Sequence, residues 1–225
     1  MIQAVVFDFD GTIFDSESHV YGVARDLFAE HGAELPLEVW AQCVGREAGF
    51  FDPVAYLEEC TGRALDRDEL NRLRRQRFME RVQDQGPLPG VREALAAAHA
   101  QGLRLAVASS GSREWVEGQL GRLELRRFFD CVLTADDVER VKPDPELYLS
   151  ALRCLGVEAG RAVAIEDSPN GALAARRAGM YCVVVPNSVT AALAFGDHHL
   201  RLDSLHGVEL RELLERVMAA SPGSA

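Results

Sequence analysis

Five short runs of β-branched and small apolar residues punctuate the chain: Gln3–Phe7, Leu103–Ala108, Cys131–Thr134, Ala162–Ile165 and Cys182–Val185. They do not show the apolar–polar alternation of a half-exposed strand. A strand without that alternation is covered on both faces, as in a parallel sheet with helices on either side. Segments with helical patterning lie between the runs. Val91–Gln101 ends at Gly102, and Arg113–Leu123, Pro145–Leu155 and Gly171–Ala178 follow;. Alternating strands and helices predict an α/β fold with a doubly wound, Rossmann-like parallel sheet core.

One stretch breaks the alternation. From Ser16 to Gln85 the patterning is helical throughout, over Val20–His31, Leu37–Val44, Val54–Cys60 and Asp68–Val82. Gly86, Pro87, Pro89 and Gly90 then punctuate the return to the sheet. The predicted organisation is a sheet domain over residues 1–15 and 87–220, an inserted α-helical cap domain over 16–86, and a frayed tail over 221–225;.

Composition narrows the function classes. The chain has 225 residues, 48% hydrophobic and 26% charged, which excludes a disordered or fibrous protein;. Lys and Arg number 24 against 35 Asp and Glu, a net charge of −11. Such a chain repels phosphate backbones, so no nucleic-acid partner is expected. Any anionic ligand needs a local cation. The five cysteines, Cys43, Cys60, Cys131, Cys154 and Cys182, are odd in number and form no C-x-x-C pair. They predict reduced thiols in a cytoplasmic protein rather than a disulfide framework or a zinc site. The start, MIQAVVFDFD, lacks the basic region of a signal peptide, and no apolar run reaches the ~20 residues of a membrane helix;.

Four segments carry candidate chemistry. The first run leads into FDFDGTIFDSE. Strand alternation would point Asp8 and Asp10 the same way, and Gly11 permits a tight turn; a plain strand exit is the alternative. Ser109 and Ser110 end the second run in SSGS, offering hydroxyls and free N–H groups to a phosphate, or an ordinary helix cap. Lys142 precedes Pro143 before a helix start, where a cation is disfavoured unless an anion binds nearby; a solvated surface lysine is the alternative. Glu166 and Asp167 follow the fourth run, where Asp167 or Ser168 would also serve as a cap. Together the four fall at the carboxyl ends of predicted parallel strands, where open α/β sheets bind ligands. Four carboxylates in one crevice repel one another unless a divalent cation sits among them, and oxygen donors indicate Mg2+.

These motifs, DFDGT, the run ending in Ser109, the Lys142–Pro143 pair and EDS, resemble in kind and order those of the haloacid dehalogenase superfamily. The ensemble is similar to the branch of β-phosphoglucomutase and phosphoglycolate-type phosphatases. The resemblance implies Asp8 as nucleophile, forming an aspartyl-phosphate, and Asp10 as general acid and then base. It implies Mg2+ held by Asp8, the Asp10 carbonyl and Asp167, with Glu166 direct or through water. Ser109 and Lys142 would hold the phosphoryl oxygens, with Gly11, Thr12 and Ser110 around them.

Thr12 matches the phosphatases of that branch, whereas the mutase has an apolar residue there. His19 falls one place short of the mutase histidine, and Arg46 is out of register with its cap arginine. Arg74 aligns with a cap lysine that contacts substrate. For Arg46 and Arg74 a solvated helix face is the alternative. Metal-independent dehalogenation is disfavoured because Asp10 is intact.

The expected function is a Mg2+-dependent phosphatase of a small phosphorylated metabolite, of sugar phosphate or phosphoglycolate type. The alternatives are a phosphomutase and, more remotely, a non-catalytic protein that binds phosphate esters. No membrane partner is expected, and the chain is expected as a monomer or weak homodimer.

Overall fold

A computed structural model describes residues 1–41, 44 and 51–220. Six parallel strands form one sheet: β1 (Ala4–Phe7), β2 (Arg104–Ala108), β3 (Cys131–Leu133), β4 (Ala162–Glu166), β5 (Tyr181–Val184) and β6 (Leu200–Arg201), in the order β3-β2-β1-β4-β5-β6. Strand order reverses between β1 and β4. Phe7 of β1 lies opposite Val107 of β2 and Ile165 of β4, so the ends of these three strands are level. A crevice beyond them is the natural ligand site of such a sheet.

Within the apolar runs, size alternates rather than polarity. Val5, Phe7, Leu105, Val107, Val163, Ile165 and Val183 face one side, against α5 (Val91–Ala100), α6 (Arg113–Arg122) and α9 (Leu210–Ala219). Ala4, Val6, Ala106, Ala108, Ala162 and Ala164 face the other, where small side chains leave room for α7 (Glu146–Leu155) and α8 (Pro169–Arg177). The strand ends are thereby gripped from both sides.

Between β1 and β2 the chain is helical where described, with α1 (Ser16–Glu30), α2 (Leu37–Trp40), α3 (Pro53–Thr61) and α4 (Arg67–Val82). This insert has its own apolar cluster, including Val23, Leu27, Phe28, Trp40, Val54, Leu57 and Leu70, joined by Val189 from the loop after β5. Asp15, Asp52 and Asp66 cap α1, α3 and α4. Two predicted helices start earlier than their apolar periodicity suggests: α1 at its Asp15 cap and α8 at its Ser168 cap. β6 and α9 lie outside the predicted set. β6 is two residues long, too short to leave a pattern.

The structure corrects the cysteine reading. Cys131 of β3 and Cys154 of α7 form a disulfide, with Cα atoms 6.4 Å apart. Packing of α7 against β3 brings them together, and nothing in their spacing announces it. Cys60 and Cys182 are free thiols, and Cys43 lies outside the described residues. Among the described residues no helix is long and apolar enough to cross a membrane.

Candidate functional site

Asp8 leaves β1 with its N–H bonded to the Ile165 carbonyl at 2.9 Å. The chain then curls tightly, with the Ile13 and Phe14 N–H groups on the Phe9 carbonyl and Gly11 at a φ of 82°. A side chain at Gly11 would also collide with the Asp167 carboxylate, so glycine is required there twice over;.

The floor of the crevice is an ion-pair network. Lys142 is 3% exposed, far from the solvated lysine of the alternative reading. Its Nζ donates to Asp8 Oδ1 and, at 2.6 Å, to Glu166 Oε1. Glu166 is fully buried, and Tyr148 donates its hydroxyl to the same Oε1 at 2.8 Å. Its Oε2 accepts from the Asp167 and Ser168 N–H groups and the Ser168 hydroxyl, at 3.1, 3.2 and 3.1 Å. Glu166 is thus saturated and clamps Lys142 against Asp8. Gly171 permits this, because a Cβ there would overlap the Glu166 carboxylate.

Asp167, also buried, accepts from Asn187 Nδ2 at 2.7 Å. One carboxylate oxygen from each of Asp8, Glu166 and Asp167 lies within 4.8 Å of the others. Burial raises the Asp8 carboxyl to about 7; Lys142 opposes this, while Glu166 and Asp10 add to it. Burial, then Asp8, Glu166 and Glu17, hold Asp167 well above the usual carboxylate range. Glu17, in the first turn of α1, is pushed up to about 8 by burial and by Asp10, Asp8 and Asp15. Burial works against the Lys142 charge, but Asp8 and Glu166 outweigh it and hold the ammonium above its ordinary range. One lysine among so many acids leaves the crevice short of positive charge. The donors are all oxygen, which suits a hard divalent cation such as Mg2+.

Asp10 has a different set of partners. Its Oδ1 accepts from the Ser16 hydroxyl at 2.6 Å and from Trp115 Nε1 at 2.9 Å. Among the described residues, its Oδ2 accepts a long contact from the Ser109 hydroxyl, 3.4 Å. Burial raises its pKa, and the Ser16 and Trp115 hydrogen bonds oppose the rise. Ser109, fully buried at the end of β2, also accepts the Gly111 N–H at 2.9 Å. Ser112, not Ser109, caps α6. The hydroxyls of Ser110 and Thr12 are buried with no partner among the described residues. Thr12 and Gly11 border a cleft of about 520 Å³ that runs past Asn187 to Arg201.

The structure therefore gathers Asp8, Asp10, Gly11, Thr12, Ser109, Ser110, Lys142, Glu166 and Asp167 at the ends of β1, β2 and β4. Arg74 is elsewhere. It donates to Asn71 Oδ1 at 3.1 Å and borders a cleft of about 230 Å³ whose other lining residues, Val20, Val23, Asn71, Arg75 and Phe78, all belong to the insert. Arg46 lies outside the described residues. Sequence reasoning did not single out Tyr148, Ser16, Glu17, Trp115 or Asn187. Tyr148 sits inside the KPDPELY segment, and Ser16 and Glu17 inside DSE, so their motifs held a signal. Trp115 and Asn187 reach the site from 105 and 20 residues away from the aspartates they contact, and no local pattern marks them.

Comparison with known proteins fits this geometry. The family model described as haloacid dehalogenase-like hydrolase matches residues 5–185. The chain is 49% identical over 217 residues to "Putative phosphatase YhcW" of Bacillus subtilis (strain 168), covering 96% of this chain and 98% of that protein. It is 34% identical to validoxylamine A 7'-phosphate phosphatase of Streptomyces hygroscopicus subsp. limoneus, covering 88% and 92%. A crystal structure of a CbbY mutant from Rhodobacter sphaeroides, in complex with xylulose-(1,5)bisphosphate, matches with a TM-score of 0.73 at 30% identity, covering 92% of this chain and 96% of that one.

Proposed function

The chain belongs to the haloacid dehalogenase-like hydrolase family, and from that premise we propose that it is a Mg2+-dependent phosphatase of a small phosphorylated metabolite, acting through an aspartyl-phosphate on Asp8. The observation that carries this reading is the buried clamp of Lys142 between Asp8 and Glu166, in a crevice that still lacks positive charge. Three relatives with phosphatase names or a bound sugar bisphosphate support the substrate class.

In this mechanism an Asp8 oxygen attacks phosphorus, and the bond from phosphorus to the leaving oxygen breaks. That oxygen takes the proton of Asp10 and departs as an alcohol. Asp10, now a carboxylate, accepts a proton from water as the water oxygen attacks the phosphorus of the aspartyl-phosphate. Phosphate leaves and the Asp8 carboxylate is restored. Lys142 and Ser109, with the buried hydroxyls of Ser110 and Thr12, would hold the phosphoryl oxygens, as prepositioned donors do;. Asp8, Asp167 and the Asp10 carbonyl would hold Mg2+, which when bound supplies Lewis-acid polarisation of the phosphoryl group. With both its oxygens occupied, Glu166 acts by orienting Lys142. The helical insert would close over the leaving group and exclude water.

The test is phosphate release from phosphoglycolate, hexose and pentose phosphates and β-glucose 1-phosphate, with Mg2+ and with EDTA. Release is expected only with Mg2+. Asp8→Asn is expected to fold normally and to lose activity by on the order of 10^4-fold. Near-normal turnover in that variant would remove the mechanism. Isomerised sugar phosphate without release would instead establish the mutase.

A further inference from the structure

Asp10 is held from two parts of the molecule. Ser16, which bonds its Oδ1, is the first residue of α1 in the insert; Trp115, which bonds the same oxygen, belongs to α6 beside the sheet. The indole of Trp115 packs edge-on against Phe9 and Phe14 of the loop that carries Asp10, with centroids 6.5 and 6.2 Å away. Its other neighbour is Phe78 of α4 in the insert, at 5.4 Å. Phe78 is packed against both the sheet's apolar core and the core of the insert. Seven residues after Trp115, Arg122 donates to the carbonyls of Gln83 and Gln85, where α4 gives way to the linker that returns to the sheet. Helix α6 thus grips the base of the insert and holds Asp10 at once.

We infer that Trp115 is a positioning residue that transmits the seating of the insert to Asp10. The inference rests on the phosphatase reading above. Phe78 seats the indole, and the indole N–H then fixes Asp10 Oδ1 together with Ser16. Oδ2, whose described protein contact is the long one to Ser109, is left to carry the proton to the leaving oxygen. The proton moves from Asp10 to the leaving oxygen as the bond to phosphorus breaks. An open insert would unseat Trp115 and leave the acid misaligned, so protonation is reserved for a covered substrate.

The experiment compares kcat/KM for p-nitrophenyl phosphate, whose leaving group departs without a proton, with phenyl phosphate, whose leaving group needs one. Both are assayed with Mg2+. Trp115→Phe keeps the ring and removes the donor. It is expected to lower kcat/KM for phenyl phosphate by about tenfold or more and for p-nitrophenyl phosphate by less than about threefold. Phe78→Ala is expected to show the same selectivity, and the double variant to be no worse than Trp115→Phe alone. Circular dichroism establishes that each variant is folded, and Phe78→Leu replaces any variant that is not. Equal losses on both esters, or none, overturn the coupling and leave the phosphatase intact. A wild-type protein that releases phosphate from neither ester and from none of the metabolites above overturns the phosphatase reading and the coupling with it.

Discussion

The strand ends and the helical insert use charge in opposite ways. At the strand ends the charges are buried and held by short bonds, as where Lys142 meets Asp8 and Glu166 with side chains 2%, 9% and 0% exposed. Across the outer surface of the insert they lie in water. Arg72 pairs with Glu69 at 2.6 Å, yet the two side chains are 59% and 51% exposed. Pairs of that kind contribute only about 0–1 kcal/mol. The buried network is different: its charges have no water to fall back on, so losing one partner strands the others. Substitutions at the floor should therefore cost far more stability than substitutions on the polar surface of the insert.

The harshest way to break this contrast is Lys142→Met. It is expected to abolish turnover and, in metal-free protein at pH 8, to cost about 3–5 kcal/mol of stability, because Asp8 and Glu166 are left buried without a cation. Denaturant titration measures the loss. It should shrink as the pH falls, because without Lys142, which holds the Asp8 carboxyl down, that carboxyl takes up a proton more readily and the proton takes the place of the lysine charge. A variant as stable as the parent at pH 8 would mean that the floor tolerates charge as the surface does.

A gentler probe is pH against metal. Asp8 and Glu17 are raised in the folded chain to about 7 and about 8, above their ordinary carboxylate values. A raised folded pKa contributes stability that is complete below the unfolded value and is lost as pH rises through the folded one. The melting temperature of metal-free protein should therefore fall between pH 6 and 8 as far as these groups control it. Mg2+ should restore more of it at pH 8 than at pH 6, because protons and metal compete for the same oxygens. Thermal melts in Mg2+ and EDTA test this, and a larger gain at pH 6 would contradict it.

The smallest effect is expected on the insert. Arg74→Ala removes a half-buried guanidinium from the cleft beside Val20 and Phe78. It should change kcat/KM for the true substrate by about two- to tenfold while moving stability by less than about 0.5 kcal/mol. An unchanged kcat/KM would take Arg74 out of substrate recognition. A loss as deep as that of Asp8→Asn would make the insert as exacting as the floor.

The difference also explains what could be read in advance. The parallel sheet follows from apolar runs without polar alternation, and the site from what stands just after them. Asp8, Ser109 and Glu166 each sit at or immediately after the last residue of a strand. Sheet topology carries any such residue to the common edge. The insert follows from the missing strand between Ser16 and Gln85. All of these are properties of neighbours in the chain, governed by backbone periodicity and by the cost of burying charge.

Tertiary structure decided the rest, because it depends on which distant surfaces touch. Helix α7 lying over β3 joins Cys131 to Cys154, which an odd, unpatterned set of cysteines does not foretell. Folding of the loop after β5 brings Asn187 to Asp167. The seating of α6 against the insert sends Trp115 to Asp10 and Phe78 to Trp115. Composition and spacing determined that a centre of acids, a lysine and hydroxyls lies at the ends of β1, β2 and β4. Which oxygens of that centre are held fast, and which are left to carry a proton, was decided by packing, since a hydrogen bond forms only where two separately built surfaces bring donor and acceptor within about 3 Å.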